Sequence, residues 1–172
     1  MLNFKYDFSC VHVDLPLNLS NKIIEWGKKQ IKNDDIYTSN KEIALGRENE
    51  IHATILYGIH SSSFIQAIEL LKNTGPIKAT LGKIGIFIKK KSYNVLMIEV
   101  DSPDLNRLNE ILIKNIKHTN NYGSYKPHVT IAYVKKNKAL KYANNTHWCG
   151  TSFTCNEAVF SSKNGSKHRF LI

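Results

Sequence analysis

Two short segments of this chain, His52-Ala53-Thr54-Ile55-Leu56-Tyr57-Gly58 and His128-Val129-Thr130-Ile131-Ala132-Tyr133-Val134, carry the pattern His-x-Thr-Ile-x-Tyr at matching places in a longer repeat. Both have the β-branched and aromatic content of a strand. Before the first, Phe8 to Asp14 reads as a strand ending at Leu15-Pro16. An amphipathic helix follows, with Ser20 near its start and Leu19, Ile23, Ile24 and Ile31 on one face. Before the second, Val95 to Asp101 ends at Ser102-Pro103, and the next helix aligns Leu105, Leu108, Leu112 and Ile116. Val13-Asp14-Leu15-Pro16 therefore matches Val100-Asp101-Ser102-Pro103. After the first motif a helical stretch with Phe64, Ile65, Ile68 and Leu71 stops at Gly75-Pro76; after the second, Lys138 to Ala143 is a shorter counterpart. Ala79 to Phe87 and Ser152 to Phe160 complete the copies as strands ending in Phe. The histidines are closer together than the strand ends, which places extra residues of the first copy within Asn33 to Gly46. The expected fold is α+β: duplicated βαβ-type units forming two pseudo-symmetric lobes, with antiparallel sheets facing a central cleft. At 172 residues the chain suits a single domain spanning 1–172.

Alternate side chains of a strand share a face, so each histidine points the same way as its threonine. Two such strands side by side aim His52, Thr54, His128 and Thr130 into one cleft. A neutral imidazole removes a proton and an imidazolium delivers one near neutral pH, while hydroxyls can bond the oxygens of a phosphate as charge builds on them. This is equipment for phosphodiester chemistry that needs no cofactor and no metal. His60-Ser61-Ser62 also fits His-x-Ser but sits in a Ser-rich turn with no strand after it.

Charge agrees with an anionic ligand. Lys plus Arg number 24 against 14 Asp plus Glu, a net charge of +10, and Arg47, Arg107 and Arg169 are the only arginines. Lysine attracts phosphates as a point charge, whereas arginine reads them with a planar fork, so general attraction is expected over base readout. Lys89-Lys90-Lys91 reads as a solvated hairpin tip between strands, with steering of anionic ligands as the other reading. The three cysteines, Cys10, Cys149 and Cys155, are too scattered for a disulfide framework and fit a reducing cytoplasm. His147, Cys149 and Cys155 do not have zinc-finger spacing. Apolar runs such as Val95 to Ile98 are far too short for a membrane span, and Lys5 and Asp7 interrupt any secretory segment at the N-terminus.

The paired His-x-Thr strands in a bilobal chain resemble the 2H phosphoesterase superfamily, which includes RNA 2',3'-cyclic phosphodiesterases and 2'-5' RNA ligase-like proteins. The resemblance implies catalytic roles for His52, Thr54, His128 and Thr130. A finer likeness rests on Tyr6-Asp7-Phe8-Ser9-Cys10, Gly46-Arg47-Glu48, Leu56-Tyr57-Gly58, Tyr125-Lys126-Pro127 before His128, and Phe160-Ser161-Ser162. Together these are similar to the phage anti-CBASS nucleases, which degrade the cyclic oligonucleotide messengers of a bacterial defence system. That likeness implies a cyclic di- or trinucleotide substrate, and host cytoplasm as the site of action if the chain is phage-encoded. It also implies a mechanism. One histidine takes the proton of a ribose 2'-hydroxyl, which attacks the adjacent 3'-phosphate, and the other protonates the departing 5'-oxygen. Symmetry leaves open which histidine does which.

Tyr6 and Tyr122 are candidates for stacking on a base, since each lies near the entrance to a motif strand, and a half-buried tyrosine with a wet hydroxyl is the other reading. Glu157 either accepts a hydrogen bond from an exocyclic amine or faces solvent. Tyr57 and Tyr133, counted by alternation, fall on the face opposite the histidines and are assigned to packing. Two rival functions stand beside the nuclease: RNA-end processing on 2',3'-cyclic or 2'-5' ends, and a non-catalytic sponge for cyclic nucleotides. The chain is expected to act as a monomer.

Overall fold

The computed structural model describes residues 6–38, 45–88, 92–119 and 123–172. Among these, the elements run β1 (Ser9–Asp14), α1 (Leu17–Gln30), β2 (His52–Ile59), α2 (Ile65–Leu71), β3 (Ile77–Ile88), β4 (Tyr93–Asp101), α3 (Pro103–Asn115), β5 (His128–Lys135), β6 (Ser152–Cys155), β7 (Glu157–Ser161) and β8 (Lys167–Leu171). Short 3-10 turns occupy Asn33–Asp35, Lys136–Lys138 and Leu140–Tyr142; the last two stand where the second copy promised a weak helix.

The strand and helix boundaries follow from side-chain chemistry. In α3, Ser102 caps the N-terminus by accepting a hydrogen bond from the Leu105 amide at 3.1 Å, and Pro103 takes the first turn, where no amide is needed. Its inner face buries Leu105, Leu108 and Leu112 completely, each worth about 1.5–3 kcal/mol. In α1, Pro16 stands at the cap, while buried Ser20 turns its hydroxyl back to the Leu15 carbonyl at 3.1 Å. Ile23 and Ile31 are buried, with Leu19 and Ile24 packed at the margin.

All neighbouring strands pair antiparallel in one eight-stranded sheet ordered β6-β3-β4-β5-β2-β1-β7-β8. The two sheets expected from the duplication are thus halves of one sheet, joined at β2 and β5 through the pair Ala53–Val129. The copies are also interlaced. β3 follows the first motif but pairs with β4 of the second copy, and β7 follows the second motif but pairs with β1 of the first. The helices cross in the same sense: α1 packs on β5, and α3 on β2.

One expectation needs correction, and one strand lies beyond those expected. Ser152 to Phe160 is not one strand. Asn156 breaks it into β6, which pairs with β3, and β7, which pairs with β1 towards the other flank. A single residue can connect them only because the sheet curls into a half-barrel that brings its flanks together, and the Cys155 thiol donates to the Asp14 carbonyl at this corner. The unexpected strand is β8, which pairs with β7 beyond Phe160-Ser161-Ser162. Its alternation of polar and apolar residues is short and carries one buried side chain, Phe170. Lys89-Lys90-Lys91 lies outside the described residues.

Candidate active site

The site begins with the pair that joins the halves. Ala53 and Val129 are both fully buried, so their side chains face the helices. Antiparallel register then sets His52 across from Thr130 and Thr54 across from His128, all four on the opposite face and half-buried. The structure therefore brings His52, Thr54, His128 and Thr130 together. Each imidazole is held alike. His52 Nδ1 lies 2.7 Å from the Glu50 carbonyl and His128 Nδ1 lies 2.7 Å from the Lys126 carbonyl. A carbonyl only accepts, so each Nδ1 carries the proton, and Nε2 is the nitrogen that can take up or give a proton. Tyr125 Oη donates to the Thr54 carbonyl at 2.8 Å and ties the approach to β5 onto β2.

The flanking strands break the symmetry. On β1, His12 and Asp14 are the register partners of Thr54 and His52; on β4, Met97 and Glu99 are those of Thr130 and His128. The His12 ring, buried, sits 4.6 Å from the His52 ring between centroids. Its Nδ1 is 3.1 Å from Asp14 Oδ1, close enough for ionic contact but without the alignment of a full hydrogen bond. Burial, reinforced by the neighbouring His12, holds the His52 imidazole below its ordinary value and favours its neutral form. Burial pushes the Asp14 carboxyl up, but contacts to His12 and Arg169 outweigh it and leave Asp14 well below the usual carboxylate range. Lys167 pairs with Glu50 beside it. His128 instead meets the Phe87 ring edge-on at 4.7 Å.

Tyr57 and Tyr133 are not on the packing face. In β1–β2 the register passes from Val11–Leu56 to His12–Thr54, leaving Ile55 as an extra residue; in β4–β5 it passes from Leu96–Ala132 to Met97–Thr130, leaving Ile131. A bulge of one residue reverses the alternation beyond it, so both tyrosines return to the face of the histidines. Tyr57 is 42 % exposed. Each bulge carbonyl is satisfied from outside the ladder: Asn109 Nδ2 of α3 donates to Ile55 O at 2.7 Å, and the Glu48 amide donates to Ile131 O at 2.8 Å.

The remaining expected residues are more dispersed. Tyr6 is exposed, and its amide bonds the Lys163 carbonyl at 3.0 Å, beside the β7–β8 turn. Glu157 is exposed at the start of β7, two residues from Val159, the partner of His12. Tyr122 lies outside the described residues. His12, Asp14 and Arg169 were not singled out by sequence reasoning; the signal available was the alternation His12-x-Asp14 within the first strand. Among the described residues no group of three or more His, Cys, Asp or Glu is arranged to hold a metal ion, and no helix is long and apolar enough to cross a membrane.

The sequence profile of the 2'-5' RNA ligase superfamily matches residues 49–167, which hold both motifs. The chain belongs to that superfamily. As a 2'-5' RNA ligase superfamily member it shares its fold with several solved structures. The Thermus thermophilus protein TT0787 is 14% identical with a TM-score of 0.62, covering 96% of this chain and 94% of its own. Kluyveromyces marxianus Usb1 is 10% identical with a TM-score of 0.59, covering 98% and 99%. Escherichia coli LigT, solved with phosphate, is 17% identical with a TM-score of 0.58, covering 96% and 94%. No curated protein sequence matches the chain.

Proposed function

We propose that this superfamily member is a metal-independent phosphodiesterase that opens 3',5'-linked cyclic di- and oligonucleotide messengers, and so counters CBASS defence. The observation that carries the chemistry is the pairing of His52 and His128 on adjacent antiparallel strands, each with Nδ1 locked to a carbonyl and a threonine beside it. The resemblance of Tyr6 to Cys10 and of Phe160 to Ser162 to the anti-CBASS nucleases supports the choice of substrate.

The asymmetry of the flanks supports an assignment of roles. His52, whose neutral form is favoured by burial and by the neighbouring His12, acts as base: its Nε2 takes the 2'-hydroxyl proton as O2' bonds to phosphorus. The bond from phosphorus to O5' breaks, and His128 Nε2 delivers a proton to O5'. The products are a 2',3'-cyclic phosphate and a 5'-hydroxyl. Thr54 and Thr130 donate to the non-bridging oxygens as negative charge accumulates there. Water addition with the roles reversed converts the cyclic ester to a phosphomonoester.

RNA-end processing is the second reading, favoured by the family's name and by the fold shared with Kluyveromyces marxianus Usb1, which has been solved with uridine monophosphate. Incubation in EDTA with cyclic di- and trinucleotides, beside RNA ending in a 2',3'-cyclic phosphate, separates the readings by mass spectrometry. Ring opening supports the messenger nuclease. Turnover of the RNA ends alone moves the enzyme to RNA processing, and tight binding with intact ligand recovered after denaturation leaves a sponge.

A further inference from the structure

The paired bulges give the site a property that the histidines alone do not. β2 and β5 run in opposite directions from the Ala53–Val129 pair, so Tyr57 and Tyr133 leave it towards opposite ends of the face. Each lies about 10 Å along its strand from that pair, a bulge counting as a single step of the ladder. Both belong to small aromatic clusters. Tyr57 meets Phe8 edge-on at 6.0 Å, and Phe8 stacks on His60 at 5.6 Å. Tyr133 meets Tyr93 edge-on at 5.5 Å, and Tyr93 lies against Tyr37 at 5.2 Å. Tyr37 in turn lines an open hollow of about 610 Å³ together with Asn33, Arg47, Ser92 and Lys135. None of its described lining residues belongs to the His-x-Thr pairs, and the ring contacts from Tyr133 through Tyr93 to Tyr37 lead to it.

We infer that Tyr57 and Tyr133 are two nucleobase-stacking platforms, one on each side of the reacting phosphate, so that the site takes an internal phosphodiester with a base on both flanks. The inference rests on the phosphodiesterase reading above. Every base presents a π-face, so a tyrosine platform holds a base without demanding its identity. Platforms at both ends position the nucleoside that carries the 2'-hydroxyl and the one that leaves through O5'. A nucleoside 2',3'-cyclic phosphate has one base and can engage only one platform. On the Tyr133 side, a substrate that continues past the phosphate enters the hollow.

The test uses Tyr57→Leu and Tyr133→Leu, with Tyr57→Phe and Tyr133→Phe as conservative partners. The probes are a linear 3',5'-diribonucleotide and a nucleoside 2',3'-cyclic monophosphate. Each Leu variant is expected to raise KM for the diribonucleotide about 5- to 150-fold, the range given by loss of one stacked base, with a smaller change in kcat. The Phe variants restore it, and one of the two Leu variants leaves KM for the cyclic mononucleotide unchanged. Unaltered KM for the diribonucleotide in both Leu variants overturns the inference, as does an equal rise for both probes. Titration with the 2'-deoxy dinucleotide, which has no nucleophile, gives binding without turnover. Native protein that binds it and loses about the same factor in each Leu variant sustains the platforms even where the catalytic reading fails; binding unchanged in both variants refutes them.

Discussion

Asn109→Leu tests the device that turns Tyr57 onto the active face. Asn109 is 7 % exposed on α3, and its Nδ2 reaches the Ile55 carbonyl at 2.7 Å. Ile55 is the residue the bulge leaves without a partner in the β1 register, so Asn109 satisfies an acceptor the ladder does not. Leucine keeps the branched shape but offers no donor. A buried carbonyl left unmade costs about 1–3 kcal/mol. For a domain of this size each kcal/mol lowers Tm by about 2–4 °C, so Tm should fall by about 2–12 °C. Urea denaturation gives the free energy, and hydrogen exchange at the Ile55 to Tyr57 amides reports whether the bulge itself has loosened. Asn106→Leu, an exposed site on the same helix, is the control, with an expected change within about 0.5 kcal/mol. If Asn109→Leu matches that control and exchange at Ile55 is unaltered, then α3 does not hold the bulge, and the reasoning about Tyr57 loses its support.

Three further expectations follow from the site and its surroundings. His12→Gln removes a neighbour that disfavours the charged form of His52, so the acid limb of the kcat/KM profile moves to higher pH; a limb that stays put contradicts the assignment of His52 as the base. Burial, with Glu50 nearby, pushes the Glu48 carboxyl up to about 7 from an ordinary 4.5. Between these values the folded chain holds a proton that the unfolded chain has released, so this group makes stability fall as pH rises through the window. Glu48→Gln flattens that slope, as read from urea midpoints at pH 5 and pH 8; an unchanged slope refutes it. Gly58 has φ +86°, and a Cβ there would collide with the Thr119 carbonyl oxygen, so Gly58→Ala should lower stability by at least about 1–3 kcal/mol in a thermal melt.

The four residues of the His-x-Thr pairs were legible because a duplicated motif needs no knowledge of long-range pairing: the repeat itself says that two strands do the same thing. What failed was counting beyond Thr54 and Thr130. Strict alternation sends Tyr57 and Tyr133 to the core, and only the register against β1 and β4 shows that Ile55 and Ile131 are extra residues. The carbonyls freed by those bulges are satisfied by Asn109 and Glu48, which are distant in sequence from the strands they serve. Asn156 was hidden for a related reason. Nothing in Ser152 to Phe160 marks a change of strand partner, because the break depends on the curl of the whole sheet. His12 and Asp14 read as ordinary alternation until β1 is placed beside β2, where their spacing becomes a buried ring against His52 and a carboxylate shared with Arg169.

The most direct measurement on the central claim is cleavage of a 3',5'-cyclic diribonucleotide in EDTA, beside its fully 2'-deoxy analogue, by the native chain and by the His52→Ala/His128→Ala double variant. Opening of the ribose ring compound by the native chain alone, through a 2',3'-cyclic phosphate and with the deoxy analogue intact, is the result predicted for a paired-histidine site acting through the 2'-hydroxyl. Comparable turnover of the deoxy analogue, or undiminished cleavage by the folded double variant, would contradict it.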